Sequence, residues 1–182
     1  MTTPTRVTEN VDGMQLDFPA GWMTAKCDDW AFYRKQFCKL KDGIKSVDLL
    51  ALSPRVTGDP AEPTLWMIEV KDYRRHQRTK TISLHEEMAG KVTGTLALML
   101  PAKLSATVTG EKTMAGKALN AKRLRVVLHI EQPRVVLAFF SKSHAINLSS
   151  VQIELRKRVK AIDAHPEVLD SSSARVPWTV TP

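Results

Sequence analysis

Two apolar runs that carry charge in their middles constrain this chain more than any other feature. The first, IKSVDLLALS (residues 44–53), sets Val47, Leu49, Leu50 and Leu52 around Asp48 and is bounded by Gly43 and Pro54. The second, LWMIEVKDY (residues 65–73), sets Glu69 and Lys71 among Leu65, Trp66, Met67, Ile68 and Val70. Short aliphatic and aromatic runs punctuated by glycine and proline predict buried strands. A carboxylate or an ammonium inside such a run is costly unless it meets a partner. Side chains two apart in a strand share a face, so Glu69 and Lys71 point the same way. The intervening PRVTGDPAEPT reads as a loop. A hairpin across it brings Asp48 beside Glu69.

Two convergent carboxylates next to a lysine have a chemistry. Mg²⁺ takes hard oxygen ligands, commonly one or two carboxylates completed by water and substrate phosphate. Asp48 and Glu69 would supply the carboxylates and the Val70 carbonyl a further oxygen. Mn²⁺ would serve in its place. The metal would polarise a phosphate and acidify a bound water. Lys71 would orient that water or stabilise charge growing on the phosphate.

The segment SVDLLAL…LWMIEVKDYRRH resembles the core motif of the PD-(D/E)XK nuclease superfamily, the restriction-endonuclease-like fold. Asp48 matches the first acidic position, and Glu69 and Lys71 match the (D/E)-x-K. The proline that precedes the Asp in that motif is Val47 here. The resemblance implies a Mg²⁺-dependent endonuclease or exonuclease hydrolysing phosphodiester bonds, with catalytic Asp48, Glu69 and Lys71. It also implies further polar groups from flanking helices: Asp28 or Asp29 before the first strand, and Glu86, Glu87 and Lys91 on the crossover helix. The plainer reading of these is an N-cap pair and a solvated helix face.

The remaining elements suit a central mixed sheet flanked by helices, of α/β or α+β class. Residues 1–13 read as a flexible leader to a single domain spanning 1–182. MQLDF (14–18) alternates as a short strand. A short helix is predicted from Asp28, burying Phe32, Phe37 and Leu40. Ser83 and Glu86 form a capping-box signature ahead of Leu84, Met88, Val92, Leu96 and Met99, a helical spacing that Pro101 is expected to end. Leu124, Val126, Leu128 and Ile130 alternate as a half-buried strand, and RVVLAFF (134–140) reads as another. Val151, Leu155, Val159 and Ile162 define a last helix with Arg156, Lys157, Arg158 and Lys160 on its outer face. The tail ends in a short edge strand.

The formal net charge is +8, which suits a polyanionic partner. Arg74, Arg75, Arg78 and Lys80 follow the Glu69 strand directly, where a phosphate backbone could pass. DNA is the favoured nucleic acid, on charge alone, with RNA left open. The alternative is a non-catalytic subunit of the same fold that binds nucleic acid or another protein; a homodimer or an accessory protein is the other expected partner. No apolar run reaches the roughly 18 residues of a membrane span. The polar N-terminus lacks a signal-peptide core, and Cys27 and Cys38 do not form a metal-type pair. No membrane contact and a cytoplasmic location are expected.

Overall fold

Asp12 and Gly13 both hold positive φ, 50° and 76°, as a two-residue hairpin turn of the Asp-Gly type requires. That turn joins β1 (Val7–Val11) to β2 (Met14–Phe18), and β8 (Thr179–Thr181) pairs antiparallel on the far side of β2. This is the architecture of a computed structural model describing residues 5–54, 62–75, 78–133 and 145–181. A second, mixed sheet runs β3 (Met23–Ala25), β4 (Leu49–Leu52), β5 (Thr64–Asp72), β6 (Arg123–Glu131) and β7 (Glu167–Leu169), side by side in that order. β3, β4 and β5 are antiparallel neighbours, whereas β6 and β7 join in parallel. The parallel β5–β6 pair needs a crossover. Two helices supply it, α2 (Leu84–Ser105) and α3 (Thr109–Leu119). The short α1 (Ala31–Lys35) and α4 (Leu148–Val159) are the other α-helices among the described residues.

The larger sheet separates two cores. Leu65 and Met67 of β5, with Val126, Leu128 and Ile130 of β6, pack against Met88, Val92, Leu98, Leu155 and Val159 of the helices. Ile68, Val70 and Val127 face the opposite way, onto Leu16, Phe18, Trp22 and Trp178. Burial on both faces explains why β5 reads as a nearly continuous apolar run. It also places Glu69 and Lys71, of the same parity as Leu65 and Met67, on the helix side.

Several expectations change. Residues 7–11 are a strand of the small sheet, not part of a flexible leader. The predicted helix at Asp28 breaks into single 3-10 turns around the five-residue α1, and Leu40 is 72% exposed instead of buried. Pro101 does not end α2, which runs on to Ser105. A proline forfeits one helical hydrogen bond, but Ala102 and Ala106 on the following turn stay buried against the core. β6 is buried on both faces, not half-buried, because Val127 and His129 meet the second core side. α3 and β7 were not foreseen. The predicted strand at 134–140 lies outside the described residues. Among those described, no helix is long and apolar enough to cross a membrane.

Candidate functional site

The hairpin between β4 and β5 forms as its sequence requires, and Asp48, immediately before β4, accepts a hydrogen bond from the Val70 amide at 2.9 Å. Its carboxylate therefore lies at the side of Glu69. Lys71 shares the Glu69 face, with Nζ 2.5 Å from Glu69 Oε1 and 3.8 Å from Asp48 Oδ2. The fourth member comes from the helix layer. Lys91 of α2 places Nζ 2.5 Å from the same Glu69 Oε1 and 3.0 Å from Asp48 Oδ1. Two carboxylates and two ammoniums thus form one compact cluster.

Close packing sets the height of Lys91 above the sheet. Thr95, one turn further along α2, accepts from the Val47 amide at 2.9 Å and donates to the Lys91 carbonyl at 2.8 Å. Gly94 lies so near the chain before β4 that a Cβ there would stand 2.2 Å from the Lys45 carbonyl oxygen. Only glycine allows that approach.

Burial shapes the electrostatics. The Glu69 side chain is 2% exposed, against 18% for Lys71 and 20% for Asp48. Desolvation, with the neighbouring Asp48 charge, pushes the Glu69 carboxyl up, and the two ammoniums partly offset this. Burial disfavours the Lys71 ammonium, but Glu69 and Asp48 outweigh it and push its pKa up to about 12. Lys91 shifts upward through the same balance. Both lysines remain charged at neutral pH.

The cluster divides two depressions. On one side a pocket of about 290 Å³ is lined by Asp48, Val70 and Lys71 with Asn10, Lys26 and Asp28. On the other, Lys91 forms part of the wall of a groove along α2. Of the two neighbouring acids Asp28 and Asp29, the pocket takes Asp28, whose carboxyl is raised by burial and by Asp29 and Asp48. Asp29 turns away and pairs with Arg34 on the surface. Spacing could not have chosen between these neighbours.

The remaining candidates lie around the start of α2. Glu86 completes the capping box with Ser83 and pairs with Arg158 of α4 at 2.8 Å. Glu87 accepts from Arg78 at 2.8 Å and also pairs with Lys80. Neither reaches the Asp48 cluster, whereas Lys91, one turn beyond Glu87, does. Arg74 is held by Asp72 at 2.7 Å. Arg75 is exposed and has no carboxylate partner among the described residues.

Asp48 and Glu69 are hard-oxygen donors of the kind Mg²⁺ takes, and Glu69 Oε2 is buried with no hydrogen-bond partner among the described residues. Among those residues no three Asp, Glu, His or Cys side chains converge into a cage. A cation here would need the Val70 carbonyl, water or a ligand phosphate to complete its shell, as Mg²⁺ commonly does.

The chain is 26% identical over 204 aligned positions to a cysteine–tRNA ligase of Neisseria meningitidis serogroup A. The match takes in 90% of this chain and 28% of the ligase, so the chain spans less than a third of that relative. No protein-family profile matches the chain, and no solved structure does. This similarity overturns the expectation of a phosphodiester-hydrolysing nuclease acting on DNA. A relative across nearly the whole chain is a ligase, and its name carries tRNA.

Proposed function

We propose that this chain is an RNA-binding domain, with tRNA as the class of RNA and a ligase-type enzyme as its setting. One observation carries the reading. Two separate basic segments converge on the first turn of α2: Arg158 of α4 reaches Glu86, while Arg78 and Lys80 reach Glu87. Arg75, Arg156 and Lys160 add exposed cations with no carboxylate partner among the described residues. These segments together carry more cations than carboxylates, and a phosphate backbone complements such an excess. The tRNA part of the proposal rests on the similarity to the ligase, and the surface supplies the affinity.

Within this reading the β4–β5–α2–β6 arrangement is of restriction-endonuclease-like type, as the Asp48…Glu69-x-Lys71 pattern suggests, used for binding. Mg²⁺ or Mn²⁺ held by Asp48, Glu69 and the Val70 carbonyl would add a bridge to phosphate. The test is fluorescence anisotropy of labelled tRNA titrated with the chain at low salt, in competition with a DNA duplex of matched length. Saturable tRNA binding that the duplex competes for poorly is expected. No tRNA binding at low salt, or equal competition by the duplex, would remove the proposal.

A further inference from the structure

A groove of about 620 Å³ runs along α2 from Glu86 and Glu87 in its first turn to Ala97. Its floor is Gly90, Thr93, Gly94 and Ala97, and Ile44 and Ile82 stand at its sides. Leu100 and Leu104 continue the same helical face and are 55% and 63% exposed. Large aliphatic side chains left in water along one helix face mark an interaction surface.

The pattern specifies an occupant. Gly90, Ala97 and Leu104 are spaced by sevens, as are Thr93 and Leu100, the repeat that a second helix reads when it packs along a first. The floor is open above Gly90, where an added Cβ would meet nothing within 4 Å. A helix backbone can therefore approach closely. Charge narrows the choice further. Lys41 and Lys45 stand exposed on the groove edge on either side of Asp42, none of the three paired among the described residues, whereas Glu86 and Glu87 already have cationic partners, so the edge keeps a net positive charge. A second copy of this chain, at net charge +8, would bring the same cations to that edge. The aligned segment is 28% of the Neisseria ligase, so there it is joined to further protein.

We infer that this groove docks an acidic amphipathic helix from another protein domain. Leucine-type residues would lie over Gly90 and Ala97, and its carboxylates would meet Lys41 and Lys45. This is the helix-in-groove mode of recognition, with apolar anchors at helical spacing.

The probe is a fluorescein-labelled synthetic helix with leucine along one stripe and glutamate on the remaining face, beside a counterpart with lysine for every glutamate. The acidic peptide is expected to bind the full chain at least tenfold more tightly than the basic one. Gly90→Trp fills the groove at a position with open space and should weaken the acidic peptide by at least tenfold, with its thermal melt recorded to show that it folds. Lys41→Glu with Lys45→Glu, both exposed, should weaken it similarly should the tryptophan disturb folding. tRNA binding should stay unchanged in all of these variants, which separates this inference from the one about the basic surface. The inference is overturned if the two peptides bind alike, if neither binds, or if the filled groove still binds the acidic peptide. It is also overturned if the lysine changes weaken tRNA instead, or if sedimentation shows that self-association covers the groove.

Discussion

Lys91 of α2 places its ammonium 2.5 Å from the Glu69 carboxylate of β5, tying the helix layer to the middle of the larger sheet. Glu69 is 1% exposed and carries Lys71 on its other side. A carboxylate so placed is tolerable only while both ammoniums neutralise it and its Asp48 neighbour. Lys91→Met keeps the stem and removes the charge. Removing one partner of a buried pair costs about 3–5 kcal/mol, and with Lys71 remaining the loss here is expected at about 2 kcal/mol. Urea unfolding should show a lower midpoint with an unchanged slope, and Glu69→Gln in the Lys91→Met background should recover part of it.

Two glycines four residues apart on α2 should respond to alanine with opposite signs. Gly90 has open space above it, so Gly90→Ala should gain helix propensity of up to about 1 kcal/mol. At Gly94 the added Cβ would stand 2.2 Å from the Lys45 carbonyl oxygen, and backbone there must shift. Overpacking typically costs about 1–3 kcal/mol, more than the propensity gain, so Gly94→Ala should lower the melting temperature while Gly90→Ala raises it.

Glu87 gives the start of α2 a dependence on acid. Burial favours its neutral form, but the hydrogen bonds and charges of Lys80 and Arg78 outweigh this and hold its pKa down at about 2, against an ordinary 4.5. A carboxyl depressed in the folded state contributes stability that is fully present above its unfolded pKa and lost as pH falls toward the folded value. Thermal melts should therefore fall between pH 4.5 and 2 through this residue, and Glu87→Gln should flatten that part of the profile while lowering stability at pH 7.

The part of the site legible in sequence was the part governed by local period. Period-two alternation put Glu69 and Lys71 on one face, and flanking Gly43 and Pro54 bounded the strand beside Asp48. The capping box at Ser83 and Glu86 fixed where α2 starts. What sequence could not show depends on distant packing. Lys91 was named through the resemblance, but its meeting with Glu69 and Asp48 depends on Gly94 letting α2 settle against the Lys45 backbone, a contact with no signal in spacing. β6 looked half-buried because its second face is covered by strands from both ends of the chain, β1, β2 and β8. The choice of Asp28 over Asp29 turned on a 3-10 turn where a regular helix was expected. The nuclease expectation followed from the strand pattern around Asp48, Glu69 and Lys71 and its resemblance to a nuclease motif, which a binding domain and an enzyme can share.

Salt dependence of tRNA binding tests the central claim most directly. Each phosphate contact made by a cation adds about −0.7 to the slope of log affinity against log salt for a single strand and about −0.9 for a duplex. Anisotropy titrations of tRNA across a series of KCl concentrations should give a steep slope for the native chain. Arg156→Glu on α4 with Lys160→Glu just beyond its end, both exposed, should weaken binding by at least about tenfold at low salt and make the slope shallower by roughly one contact per residue. An affinity and slope left unchanged by those substitutions would contradict the account.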